Sequence, residues 1–86
     1  MGDKEKFISY ATDLIDGSDV GGVTFIDKPL IEMVMQREPT EDEVKSIFKE
    51  LEDKYSVENF AVQVVKGTTG KVLIITKIAD VREDGE

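Results

Sequence analysis

An α+β domain is the fold class that the hydrophobic periods of this chain predict. Two stretches, residues 4–15 and 40–55, repeat apolar residues three and four apart, the period of one helix face. Between and after them come short blocks rich in Val, Ile and Phe that alternate or run unbroken, as strands do. A chain of 86 residues holds one core and no more. The expected order is helix, strand, strand, helix, strand, strand. An antiparallel sheet of about four strands, with the two helices packed on one face, would bury both apolar stripes. The domain is expected over residues 1–81, with residues 82–86 a mobile acidic tail.

In the first helix Phe7, Ile8, Ala11, Leu14 and Ile15 share a face, with Asp3 placed to cap its start and Gly17 its end. Ser18, Asp19, Val20, Gly21 and Gly22 follow as a loop in which glycine permits backbone angles closed to other residues. Val23 to Asp27 reads as a short strand, interrupted by Lys28-Pro29. Leu30 to Gln36 fits two patterns. Ile31, Met33 and Met35 alternate as in a strand, whereas Leu30, Ile31, Val34 and Met35 fit two helical turns; the strand is the expectation.

Thr40-Glu41-Asp42-Glu43 matches a capping box, and Val44, Ile47, Phe48, Leu51 and Tyr55 form the buried face of the helix it opens. Glu41 with Lys45 and Glu50 with Lys54 are oriented as favourable pairs four apart. Phe60 to Lys66 alternates, and Lys71 to Ile78 is almost continuously apolar, as a central strand would be; Gly67 to Gly70 reads as the hairpin loop between them.

Composition bounds the chemistry. The chain has no Cys and no His, which removes disulfides, thiol nucleophiles, the familiar zinc sites and the usual acid/base at neutral pH. Carboxylates and lysines alone would have to do any catalysis, and no paired arrangement stands out, so an enzyme is not expected. Nineteen acidic against eleven basic residues give a net charge of -8, a surface that repels phosphate. Nucleic acid and anionic membranes are therefore not expected partners; cations or a basic protein are. With no apolar run long enough for a signal peptide or membrane span, the expected location is cytoplasmic. The high charge content with few Asn and Gln is a balance also seen in thermostable proteins.

Most acidic clusters have an ordinary reason. Glu41, Asp42 and Glu43 complement the positive end of a helix. Lys66, Lys71 and Lys77 could form a basic stripe, though lysines also guard sheet edges. Asp13, Asp16 and Asp19 are different, because Asp13 and Asp16 lie where the macrodipole disfavours negative charge. A helix end also leaves carbonyl oxygens unpaired. Carboxylates and carbonyls beside a Gly-rich loop are ligands that Ca²⁺ accepts, and Asp27 stands at the twelfth position counted from Asp16. Val20 occupies the fifth position and offers no side-chain oxygen, so an EF-hand is not expected. The candidate calcium ligands are Asp13, Asp16, Asp19 and Asp27.

In size, charge, helix and strand content and its Asp/Gly loop, the chain resembles a small orphan group of acidic calcium-binding proteins from methanogenic archaea. That resemblance implies an α+β fold, Ca²⁺ binding and an archaeal cytoplasm. Weak binding of a divalent cation, calcium first, is thus the leading expectation, and an acidic interaction module with a basic protein partner the alternative.

Overall fold

In the computed structural model, which describes residues 2–68 and 70–79, the first helix α1 covers Asp3–Asp16. Phe7, Ala11 and Ile15 are its buried residues, spaced by the period that the sequence set. Gly2, not Asp3, is the N-cap; Asp3 lies in the first turn, its Oδ2 2.7 Å from Arg37 Nε. The loop after α1 turns sharply at Gly21, at φ +90°, and Gly22 N donates to Asp19 O at 2.8 Å. A Cβ on Gly22 would meet that same carbonyl at 2.8 Å, which is why the closing residue has none.

Strand β1 covers Val23–Ile26, and the chain then differs from its expected course. Residues 30–36, expected as a strand, belong mainly to helix α2, Lys28–Met35. Asp27 is the reason: its Oδ1 accepts from Leu30 N at 3.0 Å, and Pro29 sits in the first turn, where its missing N–H costs no hydrogen bond. Ile31 and Met35, four apart, are buried, while Met33 between them is 64% exposed. Gln36 ends α2 in the left-handed region at φ 63°.

Helix α3, Glu41–Tyr55, begins with the complete capping box: Glu43 N donates to Thr40 Oγ1 at 3.1 Å and Thr40 N to Glu43 Oε1 at 2.9 Å. Ile47, Phe48, Leu51 and Tyr55 fill the core from this helix. Among the described residues α3 pairs Lys49 with Asp53, Glu50 with Lys4 of α1 and Glu43 with Arg37, but neither Glu41 with Lys45 nor Glu50 with Lys54. Strands β2, Phe60–Gly67, and β3, Gly70–Lys77, form an antiparallel hairpin with Gly67 opposite Gly70.

The sheet has three strands, not four, in the order β1-β3-β2, because the stretch expected as the fourth is α2. All neighbours are antiparallel, and β3 is central, as its apolar run suggested. Ile26, Leu73, Ile75 and Phe60 point from the sheet into the core against the helices. The expected mobile tail, residues 82–86, lies outside the described residues. Among the described residues no helix is long and apolar enough to cross a membrane.

Arg37 braces the corner between α2 and α3. Its Nη1 and Nη2 donate to Glu43 Oε1 and Oε2 at 3.0 and 2.6 Å, a two-pronged pair, while Nε donates to Asp3. The guanidinium, and after it the Thr40 amide, hold the Glu43 carboxyl down at about 2 from its ordinary 4.5. A carboxylate whose folded value is depressed contributes stability that is complete above its unfolded value and disappears as pH falls through the folded one. In urea unfolding between pH 6 and pH 2, the Glu43→Gln variant should therefore lose part of the acid sensitivity that the parent shows below about 4.5; parallel profiles would dismiss the Arg37–Glu43 pair as a contributor. Asp27→Ala should cost about 0.5–2 kcal/mol through loss of the α2 cap, and Asp27→Asn far less, by urea midpoint at neutral pH.

Candidate functional site

The end of α1, where the sequence places a cation, does hold one, and it belongs to the protein. Lys77 Nζ donates to the carbonyl oxygens of Asp16 at 3.1 Å and Ser18 at 2.9 Å. These carbonyls come from the end of α1 and the loop after it, the negative end of the helix. Lys77 is only 8% exposed, so its ammonium sits against them with little water. Its backbone is fixed as firmly: Lys77 N donates to Gly22 O at 3.0 Å, and Lys77 O accepts from Gly21 N at 2.7 Å. Lys77 thus faces inward and does not form a surface stripe with Lys66 and Lys71.

The four candidate calcium ligands are held in different ways. Asp16 Oδ1 accepts the Tyr55 hydroxyl at 3.0 Å, which joins α1 to the end of α3. Burial first, and the bond to Asp16 second, push the Tyr55 hydroxyl up to about 12. Asp13 and Asp19 are exposed on α1 and its loop. Asp27 lies beyond the far end of β1, roughly 13 Å along the strand at about 3.3 Å per residue, and is committed to capping α2. The structure therefore keeps Asp13, Asp16 and Asp19 near one helix end and leaves Asp27 apart. Among the described residues no group of three or more carboxylates is placed to hold a metal ion.

A second surface is marked by what it lacks. The register puts Val23 and Phe25 of β1 on the sheet face opposite the helices, in line with Thr76 and Ile74 of β3. Val72 of β3 joins them, beside Val65 of β2, as do Gln63 opposite Ile74 and Ala61 opposite Thr76. Ile78 carries the alternation one step further, its N–H donating to Asn59 O at 2.8 Å. None of these residues is ionisable, in a chain that is 35% charged. Phe25 is 58% exposed, Ile78 52%, Val23 46% and Val65 40%. The alternation of Val23 and Phe25 was the available sequence signal, but its direction could not be read without the strand order.

The succession α2, α3, hairpin, with β1 pairing with β3, follows the element order of a helix-turn-helix with a β wing. In its DNA-binding use the second helix enters the major groove. Here that helix, α3, carries six acidic side chains against three lysines, the wrong balance for a phosphate-lined groove. The layout alone assigns no function. Comparison with known proteins adds none: no family model, no curated protein and no solved structure matches the chain.

Lys77→Met would keep the buried stem and remove the ammonium, leaving the Asp16 and Ser18 carbonyls without their donor. A loss of about 1–3 kcal/mol is expected, read from the urea midpoint. An unchanged midpoint would show that the ammonium does not hold the end of α1.

Proposed function

We propose that this chain is a protein-binding module that docks through the outer face of its sheet. The observation that carries this reading is the uncharged face built from Val23, Phe25, Val65, Val72, Ile74 and their neighbours, exposed on a molecule otherwise dense in charge. Contiguous apolar surface of this kind costs solvation while uncovered and contributes affinity once a partner excludes water from it. Phe25 is the most exposed of these apolar side chains and the natural anchor. With a net charge of -8 around the face, the fitting partner presents an apolar patch ringed by Lys and Arg. The acidic character of α3 supports a protein over a nucleic acid.

Weak calcium binding after α1 is the second reading. Asp13 and Asp19, exposed beside the loop, favour it; the lysine already seated on the Asp16 and Ser18 carbonyls weighs against it.

Both readings are tested on the full chain. For docking, the parent and a Phe25→Asp/Ile74→Asp variant are immobilised and offered native cell extract, with bound proteins identified by mass spectrometry. A basic protein retained by the parent, lost from the variant and released by apolar competitors rather than by salt alone is the expected result. The same proteins on both surfaces would refute docking at this face. For calcium, backbone NMR shifts that saturate and remain confined to residues 13–27 at high ionic strength would favour the second reading; diffuse, unsaturable shifts would remove it.

A further inference from the structure

On the helix side of the sheet, α3 and the β2–β3 hairpin enclose an open groove of about 630 Å³. Val44, Phe48 and Val64 form an apolar floor, and Lys28, Lys45, Lys49 and Lys71 stand around it with Glu41 and Glu52. Four lysines against two glutamates make a locally positive concavity on a molecule of net charge -8. Its volume falls in the range of small-molecule sites, and an apolar floor with a few charged groups is their usual make-up.

The placement of these lysines works against local folding. Lys28 occupies the first turn of α2, where the macrodipole disfavours positive charge. Lys45 and Lys49 are four apart on α3, a repulsive spacing for like charges. Lys71 stands directly opposite Lys66 across the hairpin, another repulsive pairing. Lys28 and Lys49 meet carboxylates, Glu38 at 3.3 Å and Asp53 at 3.7 Å, but Lys45 and Lys71 have no ion pair among the described residues, although acidic side chains are in excess. Three separate conflicts converge on one cavity, the pattern left where a site rather than the fold sets residue choice.

We propose that this groove binds a small amphiphilic anion: an apolar body lying on Val44, Phe48 and Val64, and a carboxylate headgroup between Lys45 and Lys71. Bound negative charge there relieves both lysine–lysine repulsions. This site is separate from the outer sheet face, and either proposal can fail without the other.

The probe is dodecanoate below its micellar concentration, added to the ¹⁵N-labelled full chain. Saturable shifts at Val44, Lys45, Phe48, Lys49, Val64 and Lys71 are expected, with affinity at least tenfold weaker in Lys45→Glu/Lys71→Glu and unchanged in Phe25→Asp. Dodecanol serves as the neutral counterpart and should bind at least tenfold more weakly than dodecanoate. In the absence of ligand, Lys71→Thr should raise the melting temperature, because it removes the repulsion with Lys66. Shifts confined to Phe25 and Ile74, equal binding of dodecanol, or undiminished binding by Lys45→Glu/Lys71→Glu would each overturn the proposal. Displacement of dodecanoate by a short DNA duplex at lower concentration would also overturn it, assigning the groove to nucleic acid instead.

Discussion

The ammonium of Lys77 stands where most of the fold meets. It closes the end of α1 through the Asp16 and Ser18 carbonyls, while the same residue's backbone bonds the loop at Gly21 and Gly22 and pairs across the sheet with Phe60. Tyr55 adds the end of α3 by bonding Asp16 and by stacking edge-on against Phe60, with ring centroids 4.8 Å apart. A helix end that carries Asp13 and Asp16 is electrostatically awkward. One internal cation, held by the central strand, answers that problem and ties the end of α1 to the sheet. The central strand is thus tied to the helix layer by a charged side chain as well as by apolar contact.

Charge is sorted over the surface in a way that composition alone conceals. Among the described residues the outer sheet face has no ionisable side chain, α3 has an acidic excess, and the groove beside the hairpin has a basic one. The scaffold of α2, α3 and the hairpin thus carries its acidic excess along α3, a poor match to phosphate. The same scaffold offers other surfaces, and it is these that depart from the average composition of the chain.

Much of the architecture was legible in the sequence because its signals are local. The stripe of α1, the Thr40–Glu43 box and the alternation of β2 need only neighbours within one or two turns. Residues 30–36 were misread because Ile31 and Met35 satisfy both periods; the cap at Asp27 and the proline at 29 decide the matter, and Asp27 had been assigned to a metal. The cap removes a strand from the sheet and occupies an oxygen of an expected ligand. At the end of α1 the sequence shows a need for positive charge but not its source. Lys77 lies 61 positions from Asp16, and no periodicity reports a contact at that range. The uncharged sheet face was equally hidden, since it exists only once the order β1-β3-β2 is known.

That order also bears on when the molecule becomes complete. β2 and β3 are joined by two residues and can pair as soon as both exist, on the microsecond scale of hairpins. β1 is made early in the chain but has no partner until β3 follows, since Val23 pairs with Thr76 and Ile26 with Leu73. Closing so long a loop is the slow, entropically costly part of assembling this sheet. During synthesis, Phe25 and Ile74 therefore come side by side only after β3 has been made. The uncharged outer face that Phe25 and Ile74 share is thus a property of the assembled three-stranded sheet and of no single hairpin.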